Sequence, residues 1–228
     1  MAKRPKQWRN LFKGYDAEEI KEAYVDTTGR TPKPWATPAC PGESLTKATE
    51  EEDEVKSTQY RSIVGKLMYY MTKVAPDISN AVRELAGQMI KPMAEHWKAL
   101  DRAVGYMLHE PYQGLVLKKP KNLRPYIYLD ADYASDKQDR KSISGRISTL
   151  GGMIVGWSSK KQQTVSLSSC ESEYIAYAEG CQEALFMNQL LEELLGKLTS
   201  ATIYGDNQGA LFLVKNLQVS QRTKHIDI

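Results

Sequence analysis

Acidic residues recur in the last part of the chain, at positions where the pattern predicts the end of a strand or the start of a helix. Asp130 closes the aromatic and aliphatic run Tyr126-Ile-Tyr-Leu129, which favours a β-strand. Glu173, Asp206 and Asp227 follow on three later segments. Because Mg²⁺ prefers carboxylate oxygens, four carboxylates that return from separate segments predict a site for divalent metal ions.

Each of these acids also has an ordinary structural interpretation. Asp206 alone is typical of an N-cap for a helix that begins at Asn207, and Glu173 alone is typical of a helix surface. Asp132 lies two residues after Asp130, hence on the same face of a strand, and competes with it as the metal ligand. We expect the other acids of this region to be solvated or to cap helices and turns: Asp136, Asp139 and Glu171.

A hairpin and a long helix must position these side chains. Residues 142–150 and 153–158 are predicted to form a hairpin that turns at Gly151-Gly152. Ser168 or Ser169 is predicted to cap a helix that ends at Gly196.

The last elements alternate in type. A short strand over residues 201–205 and a helix over residues 207–215 follow the long helix. Three strands, a helix, a strand and a helix together predict a mixed sheet with helices packed on it.

The first half of the chain predicts helices and a linker. Residues 31–41 hold four prolines and cannot form a helix or a central strand, whereas residues 16–24 favour a short helix. Residues 50–54 are an acidic run. Apolar residues at helical spacing between residues 60 and 107 predict three helices that form a small bundle.

Composition excludes several classes of protein. The chain has 228 residues, of which 41% are hydrophobic and 26% charged, as in soluble globular proteins. No apolar run approaches the ~18 residues that a bilayer span needs. Its three cysteines lack CxxC spacing, which argues against a zinc site or a disulfide framework and favours a reducing compartment.

The net charge is unevenly distributed. Residues 58–123 carry ten basic and five acidic side chains, for +5, whereas the segments on either side each carry −1. A basic middle segment suits a polyanion such as nucleic acid, although ordinary solvated lysines explain the charge equally well.

Several blocks resemble a known family. The segments YLDADYASDKQDRKSISG, GWSSKKQQTVSLSSCESEYIA, IYGDNQGA and RTKHIDI resemble the ribonuclease H domain of copia-type retrotransposon reverse transcriptases. The segments YRSIVGKLMYYMTKVAPDISNAVREL and EHWKALDRAVGYM resemble the part that joins polymerase to ribonuclease H. The resemblance covers roughly residues 31 to 228. The paired aspartates of a polymerase site are absent, since Thr27 stands where the second would be.

The resemblance implies an α/β fold, with a ribonuclease H-like mixed five-stranded sheet and flanking helices. A small helical connection or thumb-like segment would precede that sheet. The implied domains are a linker-like end of the polymerase region over 1–57, the connection segment over 58–123, and a ribonuclease H-like domain over 124–228. The family continues into a helix after the last acid, so the resemblance implies that the domain is truncated here and that Asp227 is weakly held.

The implied function is hydrolysis of the RNA strand of RNA–DNA hybrids with two Mg²⁺ ions, for which Mn²⁺ could substitute. The family's catalytic and metal-ligating positions match Asp130, Glu173, Asp206 and Asp227, with Asp130 bridging both ions. The implied partners are the RNA–DNA hybrid and the polymerase portion of the same polyprotein, with no membrane. The expected location is the cytoplasm or a virus-like particle.

Substrate contacts are predicted beside the acids. Ser169, Asn207 and Gln208 carry groups suited to 2′-hydroxyls or minor-groove edges, which distinguish RNA from DNA. A set of basic residues near the site could contact phosphates: Arg140, Lys141, Lys160 and Lys161.

Two other functions compete with the enzyme. One is a catalytically inactive module of a degenerate retroelement polyprotein that only binds the hybrid. The other is an integrase or transposase of the same fold, but those enzymes end their triad in glutamate, whereas the fourth acid here is Asp227. The presence of all four acids favours the ribonuclease.

Overall fold

The computed structural model describes residues 17–47, 56–109, 114–115, 117–120 and 122–216. It divides the chain into two units, Met1–Leu115 and Val116–Ile228. Among the sequence-predicted site residues, Asp227 alone lies outside the described residues. No described helix is both long enough and apolar enough to cross a membrane.

The described part of the first unit is helical. It contains α1 (Ala17–Thr28), α2 (Ser57–Val74), a 3-10 turn (Pro76–Ile78), α3 (Ser79–Gly87) and α4 (Ala94–His109). The last three α-helices are the bundle that the apolar spacing predicts. The 3-10 turn places Pro76 and Asp77 just before α3 rather than in its first turn.

Helix α1 belongs to the same core as the bundle. Ile20 and Tyr24 are fully buried among residues of α2 and α4, and the Tyr24 hydroxyl donates to Asp101 Oδ1 at 2.8 Å. Burial is the main reason why the pKa of Tyr24 rises to about 12. The three-segment division of the sequence stays a prediction, but the described helix of its first segment packs on the helices of the second.

The proline-containing segment after α1 lies along α4. Arg102 stacks over the Trp35 ring at 4.5 Å and donates to Thr37 Oγ1 at 2.6 Å. The buried His96 accepts from Met93 N–H through Nδ1 at 2.9 Å, which leaves Nε2 to donate to the Thr46 carbonyl at 2.8 Å. These contacts use side chains of α4 to fix a segment that has no secondary structure of its own.

The second unit is a mixed α/β layer. Its elements are β1 (Pro125–Asp132), β2 (Ile143–Leu150), β3 (Met153–Lys161), α5 (Ser169–Leu195), β4 (Thr202–Tyr204) and α6 (Gln208–Asn216). The strand order is β3-β2-β1-β4, in which β1 runs antiparallel to β2 and parallel to β4. The described residues thus form four strands, and the fifth strand that the resemblance implies is not shown.

Helix α5 begins and ends where the sequence predicts. The Ser168 hydroxyl caps it by accepting from Glu171 N–H at 3.2 Å, and Gly196 ends it with a left-handed φ of 62°. Glu171 in turn accepts from Leu167 N–H at 2.7 Å and is buried. Glu171 therefore caps this end, and it is not a solvated side chain.

One face of α5 packs closely on β1. Gly180 makes this approach possible, because a Cβ there would lie only 2.9 Å from Leu129 Cδ2. Leu129 and the fully buried Ile127 form the core of this unit with Tyr177 and Ala184 of α5. The residue after Leu129 is Asp130, so this packing also fixes the start of the candidate site.

Candidate metal centre

Strand β1 presents Asp130 near its end, beside an open position on β2. Asp130 pairs with Gly145 across the antiparallel ladder. A Cβ added at Gly145 would lie 3.7 Å from the Asp130 backbone oxygen, an ordinary van der Waals contact. The side chain of Asp130 is exposed.

Strand β4 delivers Asp206 to the same place. It pairs in parallel with β1, with Tyr204 opposite Tyr128, and Asp206 follows two residues later. The N-cap of α6 is Asn207, whose Oδ1 accepts from Ala210 N–H at 3.0 Å. The alternative that Asp206 caps this helix is therefore wrong, and its exposed carboxylate is available for another role.

Glu173 enters the site from the first turns of α5. A buried network holds that end of the helix against the sheet: Gln162 Nε2 donates to the Ser172 carbonyl at 2.9 Å and to Ser144 Oγ at 3.0 Å. Ser166 donates to Gln162 Oε1 at 3.0 Å. Since every atom of the Gln162 amide is engaged, the backbone next to Glu173 has a defined position.

These elements bring three of the four predicted acids together. Ligand oxygens of Asp130, Glu173 and Asp206 all lie within 4.8 Å of one another. Glu173 is 5% exposed, whereas the two aspartates are exposed. The cluster thus has a buried floor and an open side from which solvent or a ligand can approach.

The Glu173 carboxylate is only half satisfied by the protein. Its Oε1 accepts from Ala131 N–H at 3.3 Å, and its buried Oε2 has no hydrogen-bond partner among the described residues. Burial raises the pKa of Glu173, and the charges of Asp130 and Asp206 add to this, against the opposing effect of the Ala131 bond. The folded protein therefore holds a buried acid of which one oxygen, Oε2, lacks a partner among the described residues.

This donor set fits a hard divalent cation. Carboxylate oxygens suit Mg²⁺ and Mn²⁺, and a cation would compensate both the mutual repulsion and the burial of Glu173. Exposed acid clusters are common without a metal, so the buried and unpartnered Oε2 is the observation that distinguishes this one.

The competing acids are engaged elsewhere or lie outside the cluster. Asp132 ends β1 opposite Ile143 and does not belong to the three-acid group. Asp136 and Asp139 both bind Lys161 Nζ, at 2.6 and 2.8 Å. Lys161 is therefore committed to the loop between β1 and β2, and it is not the free phosphate contact that the sequence predicts.

The predicted substrate residues lie at the N-terminal ends of α5 and α6. Ser169 and Gln208 are exposed at the first residues of α5 and α6. Asn207 uses its carbonyl oxygen as the cap of α6, so its side-chain NH₂ is the group left for a substrate.

One residue of the site was not predicted. Tyr177 lies four residues after Glu173, hence on the same face of α5, and is 2% exposed. Its buried hydroxyl has no hydrogen-bond partner among the described residues. Burial raises the pKa of Tyr177, and the charges of Glu173 and Asp206 act in the same direction. The i, i+4 spacing from Glu173 was the only signal in the sequence that could have identified it.

The fold and the cluster together define a mixed α/β protein with a carboxylate site at the ends of its strands. No family model matches the chain. It is 42% identical over 212 residues to the retrovirus-related Pol polyprotein from transposon RE1 of Arabidopsis thaliana, which covers 92% of this chain and 14% of that protein. It is 35% identical over 201 residues to the corresponding polyprotein from transposon TNT 1-94 of Nicotiana tabacum, covering 86% of this chain and 15% of that protein.

A shorter relative is covered almost completely. The secreted RxLR effector protein 161 of Plasmopara viticola is 40% identical over 133 residues, which are 58% of this chain and 94% of that protein. The chain is similar to one segment of these retrovirus-related Pol polyproteins and spans only 14–15% of the length of the two from transposons RE1 and TNT 1-94.

Removing the charge of Glu173 by substitution should stabilise the protein, and the gain in stability should depend on pH. Since the folded pKa is raised, the free energy of unfolding of metal-free protein should fall as pH rises from about 4.3, the pKa of an unfolded glutamate, through the folded value. Glu173→Gln should not lose stability in this way. The difference in free energy of unfolding between this variant and the unsubstituted protein should therefore grow between pH 4 and 7. Urea unfolding in EDTA measures it.

The exposed Glu192 on the same helix provides the control. Glu192→Gln should show no such pH-dependent gain. If Glu173→Gln is less stable than the unsubstituted protein at pH 7, the Glu173 carboxylate is satisfied in the folded state and this description of the site is wrong.

Proposed function

We propose that the second unit is an endoribonuclease that hydrolyses the RNA strand of RNA–DNA hybrids with bound Mg²⁺, as part of a retrotransposon Pol polyprotein. The observation that carries this proposal is the cluster of Asp130, Glu173 and Asp206 around the unpartnered Oε2 of Glu173. The strand order and the helix packed on β1 are compatible with a ribonuclease H-like fold, of which a fifth strand would be a further part.

The three described acids would hold the metal. Asp130 and Asp206 offer exposed oxygens on the solvent side, and Glu173 offers Oε2 from the buried side. Bound divalent ions activate a water molecule and neutralise charge on the leaving oxygen of a phosphodiester. Asp227, outside the described residues, is proposed as the fourth ligand.

The predicted substrate residues would select RNA. A 2′-hydroxyl can both donate and accept a hydrogen bond, and it is absent from DNA. Ser169 and Gln208 are exposed, and the cap of α6 does not use the NH₂ of Asn207. Asn207 and Gln208 directly follow Asp206 in sequence, and Ser169 lies at the same end of α5 as Glu173. They would read the strand whose phosphate reaches the metal.

Helix α2 of the first unit would supply affinity. Its 18 residues contain no acid, and Arg61, Lys66 and Lys73 are exposed. Lys73 Nζ lies 5.9 Å from the ring centroid of the exposed Tyr69, and none of the three cations forms an ion pair with a described acid. Exposed cations without an ion-pair partner and an exposed aromatic side chain suit a nucleic-acid backbone.

Asp130→Asn should abolish Mg²⁺-dependent cleavage of the RNA strand, while hybrid binding and folding stay nearly unchanged. The carboxamide keeps the shape of the side chain but loses the charge that a metal requires. Gel analysis of a hybrid labelled on either strand, with Mg²⁺ and with EDTA, measures cleavage and shows that the DNA strand stays intact.

Asp132→Asn is the matched control, two residues away on the same strand and outside the cluster. It should retain most of the activity. An active Asp130→Asn variant beside a dead Asp132→Asn variant would show that the central ligand is misassigned. An unsubstituted protein that binds the hybrid but never cleaves it would instead identify an inactive binding module.

Replacing Arg61, Lys66 and Lys73 together with glutamine should weaken hybrid binding and reduce its salt dependence. Each lost phosphate contact should lower the magnitude of the slope of log K against log salt by about 0.9. Lys21→Gln on α1, where the lysine is paired with Glu18 at 3.2 Å, should leave the slope unchanged. Fluorescence anisotropy with a labelled hybrid gives both quantities, and an unaltered slope in the triple variant would refute this role for α2.

A further inference from the structure

Tyr177 is buried directly beneath the turn that carries Asp206. The ring lies against Gly205, where an added Cβ would be only 2.7 Å from Tyr177 Cζ and closer still to the hydroxyl oxygen. No real Cβ approaches another atom so closely, and ring atoms anchored in a core cannot move aside as a flexible side chain can. Gly205 is therefore the residue that lets the ring reach this position.

The contact has a direct consequence for the acid cluster. Asp206 follows Gly205 in the chain, so the position of the Tyr177 ring limits where the backbone of Asp206 can lie. Tyr177 stands on the same helix face as Glu173, four residues earlier. Tyr177 thus contacts the turn that carries Asp206 and lies on the same helix as Glu173.

The hydroxyl group has a second consequence. Two buried polar atoms of this face lack a partner among the described residues: the Tyr177 hydroxyl, which can donate, and Glu173 Oε2, which can only accept when ionised. An unpaired buried polar group destabilises the folded protein, so such groups are generally retained for a reason other than packing.

We propose that Tyr177 is a positioning residue of the metal centre: its ring sets the Gly205–Asp206 turn, and its hydroxyl orients the Glu173 carboxylate when a cation is bound. This inference rests on the proposed metal site and extends it to a group that does not touch the metal. Groups that orient metal ligands in this way typically alter metal affinity by 10- to 100-fold when they are replaced.

Tyr177→Phe tests the hydroxyl, because it keeps the ring and removes one atom. We expect Mn²⁺ affinity, measured by electron paramagnetic resonance of the free ion, to fall about tenfold. The midpoint of thermal unfolding in EDTA should stay the same or rise, because an unpaired buried hydroxyl is lost. A purely structural residue would lower both together. Gly205→Ala tests the ring contact and should also weaken Mn²⁺ binding.

Tyr204→Phe is the control, since Tyr204 lies two residues before Asp206 but is 47% exposed. It should bind Mn²⁺ like the unsubstituted protein. Affinities of Tyr177→Phe and Gly205→Ala within twofold of the unsubstituted value overturn the positioning role, and so does a loss of affinity that merely follows a loss of stability. In either case hybrid cleavage by the unsubstituted protein would leave the proposed function intact. Failure of the unsubstituted protein to bind Mn²⁺ would overturn both.

Discussion

The second unit depends on how the Glu173 carboxylate is accommodated inside the protein. Burial of an ionised carboxylate is unfavourable unless hydrogen bonds or an opposite charge compensate it, and here one backbone N–H at Ala131 is the compensation that the described residues provide. The same bond ties α5 to β1, because Glu173 belongs to α5 and Ala131, which follows Asp130, belongs to β1. The interaction that joins the helix to the sheet thus also brings two acids together and leaves one oxygen, Oε2, for a cation.

Much of this arrangement follows from local sequence signals. The aromatic and aliphatic run before Asp130, the Gly151-Gly152 turn, the Ser168 cap and the C-terminal Gly196 each act over a few residues, and all are confirmed. The placement of Asp130, Glu173 and Asp206 at strand ends and a helix start rested on these signals together with the family resemblance. Their proximity is a consequence of β1 pairing with β4 and of α5 packing on β1.

Features that depend on contacts between distant segments could not be predicted. Nothing local indicates that Gly205 accommodates Tyr177, or that Lys161 binds Asp136 and Asp139 across a loop. The cap of α6 was ambiguous because Asp206 and Asn207 are both good caps, and only the Asn207–Ala210 hydrogen bond decides between them. The fourth acid, Asp227, stays a prediction.

The most direct test of the metal centre is anomalous diffraction from crystals of the chain grown with Mn²⁺. We expect an anomalous peak within about 2.5 Å of a carboxylate oxygen from each of Asp130, Glu173 and Asp206, with Glu173 Oε2 among the ligands. Crystals that carry Mn²⁺ at other sites while this cluster stays empty would contradict the account. The burial of an acid whose second oxygen has no partner among the described residues would then need another explanation.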